Sequence, residues 1–262
     1  MNANENVEAE LNGILLAEDA GSVLLQCTPF MLELIPEISD MIGFEQNNSH
    51  HYLDVWEHTI TAIENTPADI ILRLTMLFHD IAKPRCYTED ERGGHFYGHP
   101  HISADMAREI LLRLGYDNGT IEAITQLILY HDSDIQPRKK HLKRWLNKIG
   151  EEQLRQLIEV KRADANAQSE TFRQAKLSNL DAVSQKIDDI IEEQQRFSLK
   201  DLAVNGKDLM DIGVPQGYII GNILNRLMNM VVNESVNNDR EKLLSIASQL
   251  IKEQKLHCGV KP

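Results

Sequence analysis

In several segments of this chain, a histidine or an aspartate occupies the last position of an apolar pattern with helical spacing. His79 and Asp80 follow the apolar run of residues 69–78, with His79 seven residues after Leu72 and three after Met76. Intervals of three and seven residues return to the same face of an α-helix. The sequence therefore predicts that His79 continues a buried apolar face, which is an expensive place for a polar group.

Three further segments show the same relation, for His58 after Val55, His131 after Ile124, and Asp164 after Leu157. A lone histidine on an apolar face is more often a hydrogen-bonded core residue. However, eight of the ten histidines lie between positions 50 and 131, and burial of one unpaired polar group costs about 2–7 kcal/mol. A shared cation would offset that cost. Imidazole and carboxylate are typical ligands of divalent transition metals, so we interpret the set as a metal site.

Basic residues provide a second local signal. The chain has a net charge of −13, which argues against a protein that coats a nucleic-acid duplex, since such proteins are usually basic. Yet a basic patch follows just after His131, formed by Arg138, Lys139, Lys140, Lys143 and Arg144 with Trp145 beside them. This patch, residues 138–144, could guide a nucleotide or an RNA end to the metal. Its first three residues, the basic segment 138–140, are the ones assigned to the substrate phosphate. A solvated helix face is an equally weighted alternative.

Helical periodicity dominates the chain, and strand signals are nearly absent, so we predict an all-α fold. The predicted helices cover residues 5–17, 20–27, 29–35, 52–65, 68–82, 101–114, 119–131, 138–148, 151–166, 170–195, 206–211, 216–232 and 239–254. Proline breaks this pattern at Pro67 and Pro84. The polar segment 87–98 is predicted to be a turn or loop.

The sequence also indicates the cellular compartment, through its cysteines, its N-terminus and its apolar runs. The three cysteines include no CxxC pair, which favours a reduced compartment. The acidic N-terminus has no signal-peptide pattern, and no apolar run approaches the ~20 residues of a membrane span. We therefore expect a soluble, cytoplasmic protein with no membrane partner.

The spacing of His58, His79-Asp80 and Asp164 resembles the H…HD…D pattern of the HD superfamily of metal phosphohydrolases. The likeness extends to longer stretches, which resemble the HD domain and the tail region of bacterial tRNA nucleotidyltransferases, the CCA-adding enzymes. These stretches are QNNSHHYLDVWEHT, LRLTMLFHDIAKPRCYTED, HFYGHPHISADMAREIL and DLAVNGKDLMDIGVPQGYIIGNILNRL. The resemblance covers roughly residues 10–250.

The resemblance implies an HD-domain helical bundle with a small helical C-terminal domain. Its parts would be neck-like helices in residues 1–49, the HD domain in 50–168, and a helical linker and tail in 169–262. The polar stretch 185–200 is a further candidate for a domain boundary. Relatives usually carry glycine where Ala82 and Ser103 stand, and these departures bear more on substrate fit than on metal binding.

The resemblance also implies site roles. The metal ligands would be His58, His79, Asp80 and Asp164, with His99 and His131 as ligands of a second ion or as substrate contacts. Asp80 and Lys83 would be catalytic, and the substrate phosphate would meet Lys83, Arg138, Lys139 and Lys140. The ion is left open among Mn²⁺, Mg²⁺, Ni²⁺, Co²⁺, Fe²⁺ and Zn²⁺. The pair His50-His51 is assigned either to the site rim or to loop packing.

The expected function is that of a metal-dependent phosphohydrolase, a phosphodiesterase or phosphatase, related to tRNA processing. It would act on nucleotides or 2′,3′-cyclic phosphate ends, with a phosphorylated small molecule, a nucleotide or a tRNA 3′ end as partner.

The first ~50 residues contain no Gly-rich turn and no Asp-x-Asp, the marks of the nucleotidyltransferase catalytic head. The alternative is therefore a headless RNA-binding module without catalysis of its own, and a third reading is a purely structural metal. Met1 favours a free-standing chain over the C-terminal part of a longer protein.

Overall fold

The protein is described here by a computed structural model, which covers residues 3–47, 52–91, 93–196, 199–232 and 235–257. His50 and His51, which the sequence analysis assigns to a rim or a loop, lie outside the described residues. Within these ranges the chain forms the helices α1 (Ala3–Leu15), α2 (Ala20–Gln26), α3 (Thr28–Leu34), α4 (Val55–Glu64), α5 (Ile70–Phe78), α6 (His99–Leu114), α7 (Asn118–Tyr130), α8 (Lys139–Asn166), α9 (Glu170–Arg196), α10 (Gly206–Asp211), α11 (Tyr218–Val232) and α12 (Arg240–His257). The all-α prediction is confirmed.

The chain divides into two compact units, Met1–Lys186 and Ile187–Pro262, and α9 runs across their boundary. The division into 1–49, 50–168 and 169–262 stays a prediction. No helix among the described residues is long and apolar enough to span a membrane.

Helix α5 lies at the centre of the first unit. Every residue from Leu72 to Phe78 is buried, and the helix packs against α1, α4, α6, α7 and α8. A helix that is apolar on all sides must be surrounded by other elements. His79 and Asp80 follow directly at the end of this helix, so the chain carries them into the middle of the core.

Helix caps set which residues face this centre. Asp54 and Glu57 form a capping box at the start of α4, and the Asp69 carboxylate caps α5 by accepting from the backbone N–H of Leu72 at 3.0 Å. Such caps satisfy backbone donors that a helix start leaves unpaired. With the start of α4 determined, His58 falls on the buried face that includes Val55.

Helix α8 is broken at Gly150, where the backbone has φ 80° and ψ 170°. A positive φ suits glycine, which has no Cβ to clash. The break separates the two helices that the sequence predicts at 138–148 and 151–166. The second arm buries Leu154, Leu157 and Val160 and carries Asp164 in its last turn.

The segment predicted as a loop contains two short antiparallel strands, β1 (Thr88–Asp90) and β2 (Gly93–His95). The prediction of loop alone is wrong here, because pairing satisfies the backbone groups of this polar segment. Gly94 packs closely on the chain before α4: its N–H donates to the carbonyl of Asn47 at 2.9 Å, and a Cβ at Gly94 would lie 2.5 Å from the carbonyl oxygen of Gln46. This close packing holds Gln46 in place.

The second unit consists of α10, α11 and α12 around their own apolar core. Leu209, Ile223, Leu227 and Leu243 are fully buried within it. This unit shows that the C-terminal region contains enough apolar surface to form a core by itself.

Candidate metal centre

Four imidazole rings are oriented by the same kind of bond. Each ring directs its Nδ1 at a backbone carbonyl: His79 at Met76 (2.7 Å), His99 at Phe96 (2.8 Å), His131 at Ile128 (2.7 Å) and His58 at Ala167 (3.3 Å). A carbonyl oxygen can only accept, so each Nδ1 must donate its hydrogen. In the neutral ring, Nε2 then carries a lone pair, which is the form that binds a metal.

The four Nε2 atoms meet in two pairs. The Nε2 atoms of His58 and His79 are 3.4 Å apart, and those of His99 and His131 are 3.2 Å apart. Two lone pairs facing each other at such distances repel, unless a proton or a metal cation lies between them. All four residues are buried, so water is poorly placed to relieve this repulsion. Each pair of Nε2 atoms is therefore suited to bind one cation.

The Asp80 carboxylate lies between the two pairs. Its Oδ2 is 3.0 Å from Nε2 of His79 and 3.6 Å from that of His58, whereas its Oδ1 is 3.2 Å from Nε2 of His99 and 3.7 Å from that of His131. The side chain is 1% exposed. Within the described part of the chain the Lys83 ammonium lies 2.7 Å from Oδ2, and beyond this ion pair neither oxygen accepts a well-formed hydrogen bond. A carboxylate has about four lone-pair positions, so one ammonium leaves most of them unused, and burial then favours a further cation. One oxygen serves each imidazole pair, so Asp80 is suited to bridge two ions.

Asp164 completes the pair formed by His58 and His79. Its Oδ1 lies 3.1 Å from Nε2 of His58 and 3.9 Å from Nε2 of His79. Its Oδ2 accepts a hydrogen bond from Nε2 of Gln168 at 2.8 Å, which holds the carboxylate in orientation. With a side chain that is 21% exposed, Asp164 also lies on the side of the centre that opens to solvent.

Both carboxylates are ionised at neutral pH. Burial by itself would raise the pKa of Asp80, but electrostatic interactions with His79 and Lys83 outweigh it and hold the pKa well below its usual range. Burial acts in the same direction on Asp164, and there the interactions with His58 keep the pKa well below its usual range. The centre therefore combines two anions with four imidazoles, and the donor groups fall into two buried sets that share Asp80.

Lys83 belongs to this centre through Asp80. Its Nζ lies 2.7 Å from Oδ2 of Asp80 and donates to Oε1 of Gln46 at 2.7 Å, and it is 5.3 Å from the centre of the Phe96 ring. The residue is only 5% exposed. Lys83 therefore balances part of the charge of Asp80. Its predicted role as a phosphate contact stays a prediction, and the contacts described here are all with the protein itself.

The basic segment 138–140 lies outside this centre. Its three residues are exposed at the start of α8. Of the two other basic residues of the patch, Lys143 is buried and Arg144 is exposed. Trp145, which follows Arg144, packs edge-on against Tyr130 at 5.2 Å and donates through Nε1 to His141 at 2.9 Å. The aromatic ring is thus engaged in packing within the protein.

Sequence reasoning missed three residues that support the ligands. Gln46 contacts Lys83, Gln168 contacts Asp164, and Lys161 donates through Nζ to the backbone carbonyl of His131 at 2.6 Å. Lys161 lies three residues before Asp164 on the same helix, so helical spacing could have indicated it, whereas Gln168 lies beyond the end of α8. Nothing in the sequence near Gln46 indicates its role.

The two departures from the pattern of relatives contact each other. The buried backbone N–H of Ala82 donates to Oγ of Ser103 at 3.2 Å. Ser103 is fully buried, and this bond joins the turn after Asp80 to α6. The pair therefore fastens the element that carries His99 to the element that carries Asp80.

A sequence match shows the family to which the chain belongs. The profile described as "tRNA nucleotidyltransferase domain 2 putative" matches residues 97–247, more than half of the chain. The protein belongs to this family, and the resemblance that the sequence analysis notes to tRNA nucleotidyltransferases is confirmed. The matched range includes His99, His131 and Asp164.

Two relatives illustrate the match. The A-adding tRNA nucleotidyltransferase of Deinococcus radiodurans is 28% identical over 238 residues, which cover 85% of this chain and 53% of the relative. The CC-adding tRNA nucleotidyltransferase of Thermus thermophilus is 32% identical over 152 residues, which cover 55% of this chain and 35% of the relative. The chain thus spans about half the length of the first relative and about a third of the second.

Proposed function

We propose that this protein is a metal-dependent phosphohydrolase whose centre is formed by His58, His79, Asp80, Asp164, His99 and His131. The observation that carries the proposal is the position of Asp80: each of its two buried oxygens faces a pair of imidazole Nε2 atoms, and the Lys83 ammonium contacts only one of the two oxygens. A surface that only binds RNA does not require buried carboxylate and imidazole groups, whose removal from water costs free energy.

A divalent ion held by these residues would supply a nucleophile from water near neutral pH and would withdraw charge from a phosphoryl oxygen. In hydrolysis, the oxygen of one water molecule bonds to phosphorus while the bond from phosphorus to the ester oxygen breaks. The leaving oxygen takes up one proton from that water. On a 2′,3′-cyclic phosphate, the products are a phosphate monoester and a free ribose hydroxyl.

The residues of the chain have distinct parts in this proposal. Asp80 remains anionic and is shared by the two sets of ligands, and Lys83 balances its charge from 2.7 Å away. Gln168 orients Asp164. The chain thereby holds its metal-ligand groups in fixed positions before substrate binds, and such preorganisation is the basis of electrostatic catalysis.

The substrate class follows from the family. The two relatives are named for the addition of A or CC to tRNA, and we carry over to this chain a role in tRNA processing. Nucleotides and 2′,3′-cyclic phosphate ends are therefore the first substrates to test. The basic segment 138–140 would meet the backbone of a longer RNA.

The experiment that tests the proposal is metal analysis of the purified protein, followed by a screen of phosphate esters. We expect turnover of 2′,3′-cyclic nucleotides with at least one of Mn²⁺, Ni²⁺, Co²⁺ and Mg²⁺, and its loss in Asp80→Asn. Absence of any turnover by protein shown to contain metal would reject the proposal and leave a structural metal.

The second candidate is an RNA-binding module that lacks its own catalysis. The observation that favours it is the family match over residues 97–247, together with relatives that are named for addition of nucleotides to tRNA. It predicts binding of a tRNA without hydrolysis.

With either candidate, the chain alone should not extend a tRNA that lacks its 3′ end when CTP and ATP are supplied, since its first ~50 residues contain no Asp-x-Asp. Extension by the pure chain would overturn this expectation.

A further inference from the structure

A cleft in the first unit opens onto the candidate metal centre. It has a volume of about 260 Å³, and its walls come from the loop after α7 (residues 131–135), from the last turns of α8 and from α9. His131 and Asp164 are both part of its wall. Since His131 belongs to one set of candidate ligands and Asp164 contacts the other, a molecule in this cleft would reach both.

Two lysines line the cleft next to these ligands. Nζ of Lys161 donates to the carbonyl of His131 at 2.6 Å, and Nζ of Lys176 donates to Oε1 of Gln168, whose Nε2 donates to Asp164. An ammonium group has three donors, so each of these bonds leaves donors for a ligand. Lys176 is exposed and Lys161 half-buried, which places positive charge at the rim and deeper in the cleft.

The remaining wall is mostly polar. Asp132, Ser133 and Asn179 offer acceptors and a donor, and Leu180 contributes an apolar patch. The volume lies just below the ~300–1,000 Å³ of pockets for drug-sized ligands, so the space suits one sugar with its phosphate rather than a duplex. Hydroxyl groups of a ribose would match the carboxylate, hydroxyl and amide side chains of this wall.

The charge of the cleft indicates when an anion would bind. Lys161 and Lys176 contribute two positive charges, whereas Asp132, Asp134 and Asp164 contribute three negative ones. By itself the cleft would be weakly unfavourable for a phosphate. One divalent ion at Asp164 would reverse that sign, so phosphate binding and ion binding should depend on each other.

We propose that this cleft binds the phosphate-bearing ribose of a single nucleotide, with Lys161 and Lys176 as the phosphate-contacting residues. This assignment rests on the proposed function and deepens it. It places the phosphate contacts at two lysines that the sequence analysis does not single out, on the side of the centre where Asp164 reaches solvent. A free nucleotide and the 3′ end of an RNA can both present such a ribose with its phosphate.

The test is a calorimetric titration in Mn²⁺ that does not depend on turnover. The probe is a methylene phosphonate analogue of adenosine 3′-monophosphate, in which a P–C bond replaces the ester bond that would hydrolyse. Lys176→Gln removes a charge at an exposed helical position, and we expect it to weaken binding roughly tenfold, the effect of one charge-assisted hydrogen bond. Lys161→Gln should weaken binding at least as much. The control Lys207→Gln removes an exposed lysine of the second unit and should leave the affinity within about twofold of the parent.

Unchanged affinity in both Lys176→Gln and Lys161→Gln would overturn the assignment, even if the parent hydrolyses phosphate esters. If the parent hydrolyses none but binds the probe, and Lys176→Gln weakens that binding, the proposed function fails and the cleft assignment stands. A ten-nucleotide RNA ending in the same phosphonate distinguishes the sources. Binding that is tighter than that of the same RNA with a 3′-hydroxyl, and that Lys176→Gln weakens by a similar factor, identifies an RNA end, whereas equal binding of the two RNAs identifies a free nucleotide.

Discussion

His58 and His79 are 21 residues apart in the chain, yet their Nε2 atoms face each other at 3.4 Å. Each ring is oriented by a bond from its Nδ1 to a backbone carbonyl, so the two nitrogen atoms that approach are both acceptors in the neutral rings. A shared cation removes the repulsion between them. Metal content is therefore the first property to measure.

We expect Asp80→Asn to lose bound divalent ion and His79→Ala to lose the ion of its own set, while helical content stays close to that of the parent. In the parent, an ion at a hundred times its dissociation constant should stabilise the fold by about 2.7 kcal/mol, and thermal unfolding with and without chelator measures that gain. Asp80→Asn should lack the gain, and His79→Ala should show a smaller one than the parent. His101→Ala, which removes an exposed histidine of α6, is the matched control. Metal content equal to that of the parent in both variants would show that the assigned ligands are wrong.

The shared position of Asp80 predicts more than one ion. Elemental analysis of protein saturated with Mn²⁺ should give about two equivalents for the parent and about one for His99→Ala, because that variant loses a ligand of only one set. Asp80→Asn should approach zero. A parent that binds a single equivalent, unchanged in His99→Ala, would contradict the two-ion arrangement.

Lys83 offers a separate test of catalysis, because a protonated lysine cannot ligate a metal. We expect Lys83→Met to retain the metal of the parent, since the change frees Oδ2 of Asp80 from its ammonium partner. Turnover should fall by about tenfold or more. The decrease should appear in kcat rather than in KM, because the contacts of Lys83 are with Asp80 and Gln46. Steady-state kinetics beside elemental analysis measures both, and loss of the metal together with activity would assign Lys83 to the support of the centre alone.

The basic segment 138–140 should matter for long substrates only. Reversal of charge at Lys139 and Lys140, to Glu, is expected to raise KM for RNA-like substrates severalfold at low salt and to leave KM for mononucleotides nearly unchanged, since screening limits the reach of exposed charges to about 10 Å at 0.1 M ionic strength. Kinetics with the two substrate sizes at two salt concentrations checks this. Equal effects on both sizes would place the segment at the reacting end instead.

The contact between Ala82 and Ser103 predicts a stability effect without a change in metal content. Ser103→Ala leaves a buried backbone N–H without its partner at 3.2 Å and should cost about 1–2 kcal/mol in the free energy of unfolding. Chemical denaturation measures the cost. Ser103→Thr, which keeps the hydroxyl, is the comparison. A Ser103→Ala variant as stable as the parent would show that this bond contributes little to the joint between the turn and α6.

Much of the fold was predictable because helix formation depends on local spacing. The periodic apolar residues of α5 and the glycine at position 150 each act within a few residues of themselves, and the predicted helices match the observed ones closely. The hairpin at 88–95 was not predictable in the same way. Its pairing depends on the approach of Gly94 to Asn47, a contact between distant parts of the chain.

The sequence by itself determined which residues could bind a metal and that apolar helix faces would bury them. It also showed the family resemblance that the comparison bears out. Only the tertiary structure decided how these residues combine: that Asp80 turns one oxygen to each imidazole pair, that His58 is oriented by the carbonyl of Ala167, 109 residues away, and that Lys161 and Lys176 line a cleft beside Asp164. The physical reason is that spacing along a helix specifies a face, whereas a site is formed by the packing of several faces, and that packing depends on contacts between residues far apart in the chain.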